Sequence, residues 1–154
     1  MEQKFIVNII HRPELSPEYA EKALGKGKGV RDESLEILYI SNNSEDFLKT
    51  VADIVAMGYE EINLNLGCPS KTVVTKKKGS GFLEYPDELD KFLYEIYEKA
   101  EFRISIKTRI GKESPDEFYR LLEIYNKYPI EELTIHPRIQ TDYYKNTPNL
   151  DVYE

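Results

Sequence analysis

EINLNLGCPSKTVVTKKKGSGF (residues 61–82) begins as a strand and ends as a loop, and the change between the two organises the rest of the chain. Ile62, Leu64 and Leu66 alternate with Asn63 and Asn65, so one face of the strand is apolar and the other carries two amides. The pattern breaks at Gly67-Cys68-Pro69, where the only cysteine of the chain follows the strand directly. Its neighbours are polar, whereas a cysteine serving only as a small core residue favours an apolar pocket. The position therefore points to chemistry.

Working outward, further strand-like runs occur at residues 4–10, 35–40, 102–107 and 131–135, separated mostly by segments with helical apolar spacing. This alternation predicts an α/β fold with parallel strands. Helix starts are expected at Ser16-Pro17, Ser44-Glu45-Asp46, Pro86-Asp87-Glu88 and Ser114-Pro115-Asp116, with Gly58 closing the helix that begins near Ser44. Core stripes follow as Phe47, Val51, Ile54, Val55; Leu89, Leu93, Ile96, Tyr97; and Phe118, Leu121, Leu122, Tyr125. GKGKGV (residues 25–30) and GKES (residues 111–114) lack the Gly-Lys-Ser/Thr ending of a phosphate loop and read as ordinary loops. The tail after Tyr144 shows no convincing element.

The alternation of the first strand recurs in two others. Ile104, Ile106 and Ile110 oppose Ser105, Lys107 and Arg109, and Leu133 and Ile135 oppose Thr134, His136 and Arg138. Parallel α/β sheets and barrels bind ligands outside the carboxyl ends of their strands, which is where Asn65, Cys68, Lys107, Arg109, His136 and Arg138 gather. Any one of these basic residues, taken alone, is equally well read as snorkelling or paired with one of the many acids. Three polar strand ends at matching positions favour a site.

Composition bounds the function. With 154 residues, 40% hydrophobic and 32% charged, the chain has material for one core, and its formal charge of −7 confines any nucleic-acid contact to a focused basic patch. The lone Cys68 excludes an internal disulfide, and His11 and His136 have no structural-zinc spacing, so no metal is expected. No signal peptide or membrane-spanning run is recognisable, and a soluble, cytoplasmic protein is expected.

With these residues assembled, the chain resembles the tRNA-dihydrouridine synthase family, flavin enzymes built on a TIM barrel. The resemblance rests on NLNLGCPSKTVV with the distal GSGFL, on SIKTRIG (residues 105–111) and on TIHPRIQTDYY (residues 134–144), in order. It covers about residues 41–151. By resemblance the chain is a single partial TIM-barrel domain over residues 1–154, with an atypical segment at 1–40 and a dihydrouridine-synthase-like core at 41–151.

The resemblance implies that the C5=C6 bond of a tRNA uridine is reduced to dihydrouridine, using FMN and NAD(P)H. Cys68 resembles the general acid that protonates C5 while hydride arrives at C6. An ordinary thiol, with a pKa near ~8.5, is mostly protonated at neutral pH and can donate without special activation. Gly67 and Pro69 are expected to hold the loop, and Asn65 to meet the uracil base. Lys107 and His136 resemble flavin contacts. Arg109, Arg138 and Tyr144 match flanking motif positions, with roles open between flavin, substrate base and structure. Lys71, Lys76, Lys77 and Lys78 are candidate RNA contacts, against the alternative of a solvated loop.

The chain also departs from the family pattern. A flavin-binding glutamine is replaced by Leu38 or Tyr39, and about five strands are recognisable where a barrel has eight. A truncated form is therefore expected, with self-association or a partner completing the barrel. The alternatives are a catalytically silent half-barrel acting as an assembly module, and another FMN-dependent TIM-barrel oxidoreductase.

Overall fold

A computed structural model describes the backbone of residues 5–10 and 35–153, and side chains from Tyr39 onward. The expected helix start at Ser16-Pro17, the loop at residues 25–30 and His11 lie outside the described residues. The described elements are strands β1 (Phe5–Ile10), β2 (Leu35–Ile40), β3 (Glu61–Leu66), β4 (Arg103–Arg109) and β5 (Leu133–His136), with helices α1 (Ser44–Ala56) between β2 and β3, α2 (Lys71–Val74) and α3 (Pro86–Tyr97) between β3 and β4, and α4 (Glu117–Tyr125) between β4 and β5. All four strand pairings are parallel, and the spatial order is β1-β2-β3-β4-β5. A strand order that follows the sequence has no reversal point, which separates a barrel segment from a doubly wound sheet. The architecture is the expected part of a TIM barrel. Among the described residues the sheet is not closed, since β1 pairs only with β2 and β5 only with β4.

One face of the sheet is covered by helices. Ile62, Leu64, Leu66, Ile104 and Ile106 join Phe47, Val51, Ile54, Leu89, Leu93, Ile96, Phe118, Leu121 and Tyr125 in a single buried core. Asn43 caps α1, its Oδ1 accepting from the Asp46 N–H at 2.8 Å, so the cap lies one residue before the expected start. Gly58 leaves that helix at φ +91°, a left-handed exit that favours glycine, and donates its N–H to the Val55 carbonyl.

The apolar stripes need correction at their rims. Val55 is exposed, because at ~100° per residue it stands roughly 80° round the helix from Phe47. Tyr97 and Leu122 are only half-buried, while Phe92 and Ile124, absent from the expected stripes, are core residues. Strand ends shift as well. β4 begins at Arg103 and runs on to Arg109, and β5 begins only at Leu133, although Glu131 still donates its N–H to the Ile104 carbonyl. The tail contains a 3-10 turn, Leu150–Tyr153, whose Tyr153 hydroxyl donates to the Ile135 carbonyl and ties it to β5.

The core also reaches the cysteine loop. Phe47 meets the Tyr39 ring at a tilt and Phe92 edge-on, and Phe92 meets Phe82 edge-on at 5.6 Å. Phe82 lies in the 3-10 turn Gly79–Glu84, so the glycine-serine-glycine segment is fastened to the same core that sets the strand positions.

Candidate active site

Register brings the polar strand positions together. Asn63 stands opposite Ser105, Asn65 opposite Lys107, Lys107 opposite Thr134, and Arg109 opposite His136. Partnered residues of a parallel sheet share a face, so these side chains form one polar surface that rises toward the carboxyl ends. On β2, the backbone of Leu38 stands in register with Asn63. Tyr39 falls on the opposite side, buried in the core with its hydroxyl donating to Thr50 Oγ1 at 3.1 Å; desolvation pushes its pKa up to about 12. Of the two residues standing near the family's glutamine, Tyr39 is therefore a packing residue.

The loop bearing Cys68 is clamped from both sides. From below, Asn65 Oδ1 accepts the N–H groups of Gly67 at 2.9 Å and Cys68 at 3.2 Å, which fixes the orientation of its amide. From above, Ser80 gives both its N–H (3.0 Å) and its hydroxyl (2.8 Å) to the Cys68 carbonyl. Gly79 completes the grip. It sits at φ +55°, and a Cβ there would lie 2.7 Å from the Cys68 carbonyl oxygen. Gly67, expected to hold the loop, has room for a side chain, since a Cβ would meet nothing closer than 3.6 Å. The holding residues are instead Asn65, Gly79 and Ser80. Ser80 was missed at the level of sequence, where the glycines on either side of it were the only signal. Cys68 itself is half-buried.

Arg109 has no exposed surface despite its charge. Its Nε donates to the Gly67 carbonyl at 2.9 Å, and its Nη1 to the carbonyls of Ile139 (3.1 Å) and Tyr143 (2.8 Å). Tyr143 adopts φ +53°, uncommon for a bulky residue, with its carbonyl accepting from that guanidinium. The Tyr144 ring lies 5.2 Å from the guanidinium carbon, a cation–π contact, while the tyrosine itself is exposed. Arg109 thus binds the loop after β3 to the loop after β5, which fits the structural role among those left open for it. The loop after β4 is shaped by Glu117, whose carboxylate accepts the N–H groups of Lys112, Glu113 and Ser114.

Lys107 behaves differently. It is half-buried, and its side chain makes no hydrogen bond or ion pair among the described residues. His136 Nε2 lies 2.8 Å from Arg138 Nη1, and Arg138 Nε donates to the Asn146 carbonyl at 2.7 Å. Burial pushes the His136 pKa below 6.5, and the cations Arg109, Arg138 and Lys107 add to that depression. Tyr144 closes this side, its ring centroid 6.1 Å from that of His136. A chain of net charge −7 has thus collected three cations and a neutral imidazole at one strand-end cluster. Such a cluster suits an anionic or carbonyl-rich ligand.

The lysine-rich loop is anchored. Asn42 Nδ2 donates to the carbonyls of Lys76 (3.0 Å) and Lys77 (3.1 Å). Lys77 lies 3.9 Å from Glu88 and over the Tyr85 ring. Lys78 is half-buried, and desolvation lowers its pKa against the opposing pull of Asp46. Lys71 and Lys76 are exposed. The four therefore do not form a uniform patch.

The chain is similar to known proteins over most of its length. A family model described as dihydrouridine synthase (Dus) matches residues 19–153, reaching upstream of the stretch over which the motifs were recognised. A protein of Staphylococcus aureus (strain COL) named "Probable tRNA-dihydrouridine synthase" is 29% identical over 139 residues, covering 90% of this chain and 42% of that protein. The tRNA-dihydrouridine(20/20a) synthase of Vibrio parahaemolyticus is 32% identical over 101 residues, 63% of this chain and 31% of that protein. The tRNA-dihydrouridine synthase B of Vibrio vulnificus is 29% identical over 98 residues. The chain spans about two-fifths of the length of the Staphylococcus relatives it matches (42%). With the family model covering nearly all of the described residues, and the cysteine, Lys-x-Arg and His-x-Arg blocks meeting at one end of a parallel sheet, the chain belongs to the dihydrouridine synthase family.

Proposed function

We propose that this chain carries the proton-donating and flavin-ring-facing part of a tRNA-dihydrouridine synthase site, which reduces the C5=C6 bond of a tRNA uridine using FMN and NAD(P)H. The observation that supports this reading best is the in-register meeting of Asn65, Lys107 and His136 beside the clamped Cys68 loop. The family assignment favours it over another FMN-dependent oxidoreductase. The residues suit a flavin ring edge: a lysine without a carboxylate partner among the described residues and an uncharged imidazole fit electron-rich ring atoms. When bound, the flavin supplies the hydride that reaches C6 of the uracil.

This chain's own groups do the rest. Cys68 gives the Sγ proton to C5, so that one hydride and one proton saturate the double bond and leave a thiolate to be reprotonated from solvent. Asn65 spends its Oδ1 on the cysteine loop and keeps its Nδ2 donors for an acceptor on the base. Lys107 and His136 hold the flavin edge. Arg138 and Tyr144 back His136, and Arg109 keeps the two loops in place. A uridine must leave its stack to enter, and the exposed Lys71 and Lys76 are suited to phosphates beside the cysteine loop, more so than the acid-engaged Lys77 and Lys78.

The visible absorption spectrum of the purified chain, after removal of excess FMN, tests the reading. Bound flavin is expected, with Cys68→Ala retaining the flavin and losing dihydrouridine formation, and Lys107→Ala losing flavin. A colourless chain would favour the silent half-barrel, and flavin loss in Cys68→Ala would overturn its role as proton donor. Light scattering on the same sample reads self-association or a partner that extends the sheet beyond β5; a monomer at high concentration counts against self-association. No helix among the described residues is long and apolar enough to cross a membrane.

A further inference from the structure

We propose that Arg138 is a positioning residue that fixes the tautomer of His136, holding the ring proton on Nδ1 so that the imidazole offers the site a donor and no acceptor. A guanidinium has five N–H donors and no lone pair to give. The 2.8 Å contact between Arg138 Nη1 and His136 Nε2 is therefore an N–H donated to a bare ring nitrogen; a proton on Nε2 would set two donors face to face. Arg138 is itself well anchored for this task. Its Nε donates to the Asn146 carbonyl at 2.7 Å, which holds the guanidinium, and its backbone N–H donates to the His136 carbonyl at 2.8 Å, which holds the turn that carries it.

The charged groups around the ring reinforce the choice. Lys107 and Arg109 act on it from β4, Arg138 from the segment after β5, and the Tyr144 ring lies beside it; Asp142, the acid in this cluster, acts on Arg109. A second ring proton would add a charge to three cations already present, and the lowered pKa of His136 has the same sense. With Nδ1–H, the Lys107 ammonium and the Asn65 Nδ2 donors, the strand-end cluster presents hydrogen-bond donors to a ligand edge made of acceptors. That ligand class rests on the flavin reading above. The tautomer does not.

Long-range proton–nitrogen correlation spectra of the full chain, with nitrogen-labelled histidine and no flavin or RNA, test the proposal. The sequence has only two histidines, His11 and His136, and His136→Gln identifies the signals. Expected is an unprotonated Nε2 and a protonated Nδ1 at neutral pH. In Arg138→Met the spectrum should move toward the Nε2–H form that free histidine prefers, and the titration should shift up toward 6.5; Arg138→Lys should restore part of the Nδ1–H population. A wild-type ring carrying its proton on Nε2, or an unchanged tautomer in folded Arg138→Met, overturns the proposal. Should Arg138→Met fail to fold, the wild-type spectrum decides alone. A colourless protein with the Nδ1–H form would sink the flavin reading and leave this one standing, and the converse result would do the opposite.

Discussion

The two ends of the sheet's inner face carry the same kinds of side chain and use them in opposite ways. At the amino ends of β3 and β4, Glu61 and Arg103 pair across the strands at 3.7 Å, Arg103 also reaches Glu131 at 3.6 Å, and Ser105 donates to Glu61. The charges there cancel one another. At the carboxyl ends, Lys107, Arg109 and Arg138 surround His136, and among the described residues none of the three has a carboxylate within ion-pair distance. The difference teaches which end waits for something else: a self-neutralised end holds the sheet, while an end of unneutralised cations is suited to a ligand. Barrels divide their two rims in this manner.

The sharpest way to break the comparison lies within the carboxyl end, because Lys107 and Arg109 are two residues apart on one face. Arg109→Met would leave the carbonyls of Gly67, Ile139 and Tyr143 without their donor, and a loss of about 3 kcal/mol is expected from urea unfolding. Lys107→Ala should change stability by at most about 0.5 kcal/mol either way, since no internal partner is lost. Arg109→Lys should recover only a minor part, as a single ammonium cannot serve three carbonyls in fork geometry. If Arg109→Met proves as silent as Lys107→Ala, Arg109 belongs with the ligand-facing cations.

A smaller effect is expected at the amino end. Arg103 is about half exposed, and exposed ion pairs contribute little, so Arg103→Ala should cost roughly 0.5–1 kcal/mol even though two carboxylates lose their partner. The cost should shrink in high salt. A loss above about 2 kcal/mol that persists in salt would mean that the amino-end charges are sequestered more fully than their exposure indicates.

How much of this was legible beforehand depends on the range over which each feature is determined. The parity of Asn63 and Asn65 against Ile62, Leu64 and Leu66 is imposed locally by burial of one strand face, and it anticipated which strand positions the register brings together. The proline and acids at Pro86-Asp87-Glu88 likewise located α3. The division of labour between Lys107 and Arg109 was not legible, because the carbonyls that claim Arg109 come from residues 42, 30 and 34 positions away. The clamp on Cys68 hid for the same reason: Ser80 is 12 positions distant, and nothing in its local pattern says which carbonyl it will meet. Gly67 drew attention by adjacency to the cysteine, whereas the space that demands glycine is at Gly79. Rim positions such as Val55 failed because a periodic stripe has no sharp edge.

The smallest expected effect is also the one most specific to the cation cluster. His136 has a folded-state pKa held below its ordinary 6.5 by burial and by Arg109, Arg138 and Lys107. Between those two values the unfolded chain binds more protons than the folded one, so stability rises with pH across that window. The penalty is fully present below the folded pKa and vanishes above 6.5. Asp90 and Glu84, whose pKa values are lowered by their partners, act in a lower range, losing their contribution only below 3.8 and 4.5 respectively. Urea midpoints on either side of pH 6.5 should therefore differ for the native chain and converge for His136→Asn. An unchanged slope in that variant would mean that His136 titrates alike in the folded and unfolded chain. The three cations would then be too well solvated to act on it, and the contrast between the two ends of the sheet would reduce to a difference in pairing alone.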